Sequence, residues 1–310
     1  MPFDRQRTHP SPTGAKLNVY SRKVDGGARG VIQINHGLAE HAFRYARFAD
    51  HMANIGFHVY AHDHRGHGHT EAPDAPQGVF AASGGAGKVI ADVAAVHDLI
   101  ESEHPGLPVI VFGHSMGGMI TTNFVLRHSQ RVQGAAIWNA NVNGGMLERL
   151  AQLILRYERF RLGSDVPSRI LPKLTFQAWG KAVPGHRTLF DWLSRDPEEV
   201  DKYVADPLCG WDASVSMWGD IFDLSFNAAD NRNFADIRRD FPLHLVGGEK
   251  DPATNGGKAV ETLARRLATM GFSSVSSKIY PQTRHESLNE INRDEVTADF
   301  ALWAGGIARG

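Results

Sequence analysis

A chain of 310 residues with 42% hydrophobic and 22% charged residues has the composition of an ordinary globular protein. It is long enough for one large α/β domain with an insertion, or for two small domains. A formal net charge of −1 argues against a nucleic-acid partner or a strongly acidic ligand, and the single cysteine, Cys209, excludes an intrachain disulfide.

Residues 1–14 are polar and proline-bearing, without the apolar core of a signal peptide. No apolar window reaches the length of a membrane span. A cytoplasmic protein is therefore expected. Leu17 to Val24 alternates loosely and reads as an edge strand. Val31 to Asn35 is a stronger strand, followed by His36-Gly37-Leu38-Ala39-Glu40-His41. Phe43 to Ile55 reads as a helix ended by Gly56, and Phe57 to Ala61 as the next strand. The stretch from Asp63 to His69 holds too much glycine for regular structure. Val89 to His104 has helical periodicity, broken at Pro105.

Val109 to Phe112 is a four-residue apolar run that leads straight into Gly113-His114-Ser115-Met116-Gly117, with a helical stretch from Met119 to His128 behind it. Strand, sharp turn and helix around Gly-x-Ser-x-Gly place Ser115 as an exposed nucleophile at a helix N-terminus. Gly134 to Trp138 is another strand. From 139 to 238 the strand–helix alternation stops, and helical pieces with proline turns replace it. It resumes with a strand at Phe241 to Val246, a helix at Lys258 to Met270, a strand at Val275 to Tyr280 and a closing helix from Glu290 to Ile307. The pattern predicts a mostly parallel sheet covered on both faces, formed by 1–138 and 239–310, with 139–238 as a helical cap.

A serine hydroxyl needs a base, and the base needs an acid to fix its tautomer. His285 follows the last strand in a polar loop, where a base belongs, whereas His244 sits inside an apolar strand and His186 lies in the insertion. The acid should lie in Gly247-Gly248-Glu249-Lys250-Asp251, with Asp251 first and Glu249 second. The oxyanion donors should be the N–H groups of Met116 and Leu38. His36 and His114 border this site and are candidates for substrate contact, as are Leu147, Leu150, Ile154 and Trp179 in the insertion. The stripe of Leu147, Leu150, Ile154 and Tyr157 suits an acyl pocket, cap packing, or transient contact with a membrane surface or micelle. The histidine-dense stretch His58 to His69 reads as a hydrogen-bonded loop beside the site, because its glycines scatter the rings; no metal site is expected. Cys209 reads as a packed residue.

The segments His36–His41, Asp63–Gly68, Gly113–Gly118 and Arg284–Glu290 together resemble the monoacylglycerol lipase and lysophospholipase branch of the α/β-hydrolases, which is grouped with serine aminopeptidase-like hydrolases. The resemblance covers most of the chain in order. It implies hydrolysis of a small acyl ester without a cofactor: Ser115 attacks, His285 takes the proton, Asp251 orients His285, and Leu38 and Met116 hold the oxyanion. Alternatives are a short-chain carboxylesterase, an aminopeptidase, or a ligand-binding receptor on the same scaffold.

Overall fold

The computed structural model describes residues 3–308, apart from the side chain of Leu147. Its strands are β1 (Arg5–Pro10), β2 (Lys16–Arg22), β3 (Gly30–Asn35), β4 (Phe57–His62), β5 (Val109–His114), β6 (Gly134–Trp138), β7 (Leu243–Gly248) and β8 (Val275–Tyr280). They form one sheet in the order β1-β2-β4-β3-β5-β6-β7-β8. The β1–β2 and β2–β4 pairs are antiparallel, and every pair from β4 to β8 is parallel. Strands β3 to β7 are buried along their whole length, as apolar runs in a doubly covered parallel sheet must be. The expected α/β-hydrolase architecture is the one observed.

The helices are α1 (Ala46–Asn54), α2 (Gly85–Glu103), α3 (Met116–His128), α4 (Met146–Leu162), α5 (Leu171–Leu174), α6 (Phe176–Ala182), α7 (Pro197–Ala205), α8 (Val215–Ala229), α9 (Lys258–Thr269) and α10 (Arg293–Ile307). On one face Phe48 of α1 and Phe300 of α10 pack on Phe112 and Trp138. On the other, Val89 and Val93 of α2, Ile120 and Phe124 of α3, Ile221 of α8 and Leu263 of α9 share a core with Val111 and Ile137.

Two features differ from the sequence reading. The first strand, β1, was not expected; its residues are polar and mostly exposed, so no hydrophobic period marks it. It pairs with β2 and moves that strand off the edge. The second concerns the insertion. In chain order helices α4 to α8 come between the paired strands β6 and β7, yet α8 packs against α2 and α3 like a core helix. Asp220 of α8 accepts the Ala86 N–H at the start of α2 at 3.0 Å, so the last helix of the insertion joins the helical layer formed by α2 and α3.

Candidate active site

β5 ends at His114 and α3 begins at Met116, leaving Ser115 as the whole turn. Its φ of 55° and ψ of −119° lie outside the regions a non-glycine residue favours. Backbone packing forces the flanking glycines. A Cβ on Gly113 would stand 2.1 Å from the Gly117 carbonyl oxygen, and one on Gly117 would stand 2.0 Å from the Asn35 carbonyl oxygen. The Ser115 N–H donates to Trp138 O at 2.8 Å, which ties the turn to the end of β6.

The loops after β7 and β8 converge on it. His285 Nδ1 lies 2.9 Å from Asp251 Oδ1, and both residues are buried. Asp251 also accepts from Ala253 N at 2.9 Å, Thr254 Oγ1 at 2.8 Å and Asn139 Nδ2 at 3.1 Å. Burial pushes its carboxyl up, but the adjacent His285 and these donors outweigh it and hold it below the ordinary carboxylate range. A carboxylate on Nδ1 leaves Nε2 of the ring free to take a proton. Asn139 itself has a positive φ of 49°. Its Oδ1 accepts from Ser287 Oγ at 2.9 Å, so it braces the acid and the histidine loop together.

The loop after β3 is fixed from behind. His36 Nε2 accepts the His64 N–H at 2.9 Å, which leaves Nδ1–H to donate to the Gly37 carbonyl at 2.7 Å. That carbonyl belongs to the peptide whose N–H is Leu38's. Glu40 accepts the Gly37 N–H at 2.6 Å and the Tyr45 hydroxyl at 2.8 Å. Arg44 joins Glu40 at 2.6 Å and grips both oxygens of Glu286 at 2.6 and 2.7 Å. Burial alone would lower the Arg44 pKa; Glu286 and Glu40 raise it well above its ordinary value. His114 Nε2 meets the His285 carbonyl at 3.0 Å, and its Nδ1 lies 3.5 Å from Glu40. The His285 carbonyl can only accept, so Nε2 carries a hydrogen. Burial works against the charged ring, but Glu40 prevails and the His114 pKa is raised.

Ser115, His285 and Leu38 line one small cavity with Phe176, Trp192, Leu193 and Tyr203. The Trp192 ring lies 4.8 Å from the His285 ring, centroid to centroid. The insertion is stitched to the site by backbone: Glu286 N–H donates to Leu193 O at 2.8 Å, and Gly210 N–H to Ala39 O at 3.0 Å.

The family model described as serine aminopeptidase, S33, matches residues 26–292. The chain belongs to that family. It is 28% identical over 284 residues to a monoacylglycerol lipase of Mycolicibacterium smegmatis, covering 90% of this chain and 89% of that one. A thermostable carboxyl esterase from Bacillus coagulans, solved with glycerol, superposes with a TM-score of 0.87 at 22% identity over 98% of each chain. A lipase in its open form superposes with a TM-score of 0.84 at 25% identity over 99% of each. This places the chain in the monoglyceride-lipase-like branch of the α/β-hydrolases.

Within this S33 family member several expected substrate contacts stand elsewhere. His36 is fully buried with both ring nitrogens engaged, so it has no edge to offer a substrate. Leu150 lies on the outer, exposed side of α4, and Ile154 packs into the core beside α8. Leu147 falls outside the described side chains. Trp179 reaches the site indirectly, packing on the lining residues Trp192 at 4.9 Å and Phe176 at 5.6 Å, ring to ring. A helical stripe in a sequence does not say which side of the insertion it faces, and here the insertion lines the cavity with Phe176 of α6, Trp192 and Leu193 from the connecting chain, and Tyr203 of α7. His114 lines the cavity, but its nitrogens are committed to Glu40 and His285. The histidine-rich loop is also only partly as expected. Asp63 is its hydrogen-bonded hub, accepting from Ala42 N, His69 N and Asn18 Nδ2. His62 and His64 instead pack ring against ring, with no side-chain hydrogen-bond partner among the described residues. Asn139, Arg44 and Glu286 were missed because each acts through a partner more than a hundred residues away.

Proposed function

We propose that this ester-hydrolysing enzyme cleaves monoacylglycerols, or the related lysophospholipids, through a serine acyl-enzyme. The observation that carries the reading is the buried Asp251–His285 bond in the same cavity as a serine on a positive-φ turn. Ser115 Oγ attacks the ester carbonyl while His285 Nε2 takes its proton. Asp251 holds the ring and stabilises the imidazolium. The N–H groups of Leu38 and Met116 receive the oxyanion, each contributing roughly 3 kcal/mol to the transition state. His285 then protonates the departing alcohol. It next activates a water that attacks the acyl carbonyl, and the fatty acid leaves as Ser115 regains its proton.

Leu38, Phe176, Trp192 and Leu193 give the acyl chain an apolar wall. The relatives' substrates and the glycerol complex of the Bacillus esterase support a glycerol ester. Residues 139–238 act as the cap over this cavity. An aminopeptidase would need a free carboxylate for the substrate amine. The two carboxylates lining the cavity, Glu40 and Glu286, are both committed to Arg44. Of the acidic residues in the insertion, Glu158 caps Arg169 and Ile170 N–H groups and Glu148 bonds Ser225. This favours an ester over a peptide.

The enzyme meets its substrate at a lipid surface. Met146, Leu150, Leu153, Tyr157 and Phe160 form an exposed row along α4, with Met146 86% and Phe160 90% exposed. Arg149, Arg156, Arg159 and Arg161 flank the row and suit anionic headgroups. Among the described residues no helix is long and apolar enough to cross a membrane, so the contact lies in the interface.

The test is a hydrolysis profile over p-nitrophenyl esters from acetyl to palmitoyl, a monoacylglycerol, a lysophospholipid and an aminoacyl anilide, with Ser115→Ala as control. Ser115-dependent turnover highest on the monoacylglycerol or lysophospholipid is expected. A sharp preference for acetyl esters or for the anilide would overturn the substrate assignment.

A further inference from the structure

We propose that His41, Asp206 and Cys209 form a binding site for a zinc-type divalent cation where the insertion meets the loop after β3. The sequence does not suggest it, because His41 lies 165 residues from Asp206. The fold brings them together. His41 Nε2 is 2.8 Å from Asp206 Oδ2, and one ligand atom from each of the three residues falls within 4.8 Å of the others. Among the described residues this is the one such group of histidine, cysteine and carboxylate ligands.

The donor set is chemically specific. Imidazole, thiolate and carboxylate suit zinc, which bonds them at about 2.0–2.3 Å in tetrahedral sites. Such bonds place neighbouring ligand atoms about 3–4 Å apart, and the three here, within 4.8 Å of one another, reach that spacing by closing inward on the ion. Two anionic ligands and one neutral ring balance a dication. Three protein ligands leave a fourth position for water. On binding, the neutral ring transfers its proton from Nε2 to Nδ1 through solvent, Nε2 takes the ion, and the Cys209 thiol releases its proton to solvent. His41 is buried, and its Nδ1 has no hydrogen-bond partner among the described residues. Burial pushes the Cys209 thiol well above its ordinary pKa; Arg44 opposes this while Glu40, Asp206 and Glu286 add to it, so the ion itself must displace the thiol proton.

The segment is anchored on both sides. Leu208 N–H and Cys209 N–H donate to Asp206 Oδ1 and O, folding 206–209 into a turn. Tyr203 Oη and Gly210 N–H both donate to Ala39 O, next to Leu38. An ion here ties the insertion to the loop that carries Leu38. The proposal does not depend on the substrate assignment.

The full chain is titrated with Co²⁺ as a spectroscopic probe and then with Zn²⁺. One equivalent of Co²⁺ should give a thiolate-to-cobalt charge-transfer band with tetrahedral d–d absorption; Zn²⁺ should displace it and raise the melting temperature. Cys209→Ser should lose the band, and His41→Gln should lose both the band and the zinc shift, while each metal-free variant melts near the parent. His285→Ala should keep both signals. Absence of the band in the parent protein, a band that survives Cys209→Ser, or a zinc shift abolished only by His285→Ala would each overturn the site.

Discussion

Ser115 adopts a backbone conformation that costs on the order of 1–3 kcal/mol for a non-glycine residue. The strain persists because β5, α3 and β6 fix the turn from three sides, through Gly113, Gly117 and the bond to Trp138. His36 illustrates the same logic without touching the cavity. Its Nδ1–H holds the Gly37 carbonyl, and the peptide it fixes carries the Leu38 N–H. Burial drives the His36 pKa down to about 4, so the ring stays neutral and keeps one donor and one acceptor through the physiological range. His36→Phe should therefore lower kcat by about 10–100-fold with KM changed little, since an oxyanion donor acts mainly in the transition state. Steady-state kinetics on a p-nitrophenyl ester check it; a rise in KM alone would assign His36 to substrate binding. The residues proposed for hydrolysis could be named in order along the sequence, and the fold brings Ser115 and His285 to one cavity with Asp251 bonded to His285. Their supports could not be named from the sequence, because Asn139 or Arg44 gains meaning only from partners the fold supplies.

At the scale of elements, the strand–turn–helix of β5 and α3 was readable because one apolar run and three glycines admit few other conformations. The cap was not. Sequence periodicity found α4 and its amphipathic character, but the outer row runs through Met146, Leu150, Leu153, Tyr157 and Phe160, while Leu155 and Ile154 face inward. Which stripe of a helix is buried depends on its neighbour, here α8. The outer row predicts surface binding. Leu153→Glu with Phe160→Glu should reduce co-sedimentation with vesicles containing anionic lipid at least tenfold, on the scale expected when two buried apolar side chains of about 1.5–3 kcal/mol each are lost. Turnover of a soluble p-nitrophenyl butyrate should be unchanged. Unaltered vesicle binding would remove α4 from the lipid contact.

For the whole molecule, a sheet covered on both faces buries several titratable rings between its layers. His62 and His67 are driven down to about 3 by burial, and His36 to about 4. In the unfolded chain such rings titrate near 6.5. Below that pH the unfolded state takes up protons that the folded state refuses, so stability falls as pH drops from about 6.5 towards 4. Each ring removes up to about 1.4 kcal/mol per pH unit across its window. Asp220 opposes them: burial lifts it to about 6, so its neutral form favours the folded state between about 4 and 6. Three rings outweigh one carboxyl. The urea midpoint should fall clearly between pH 7 and pH 5, and a flat midpoint would show that the histidine cluster is hydrated or already charged in the native state.

The most direct test of the account is covalent capture of the nucleophile. The protein is incubated with an alkyl fluorophosphonate, and the adduct is located by peptide mass spectrometry. One equivalent on Ser115, formed in step with loss of ester hydrolysis and absent in Ser115→Ala, is the predicted result. Full hydrolytic activity retained by Ser115→Ala, or an inactivating label on another residue, would contradict it.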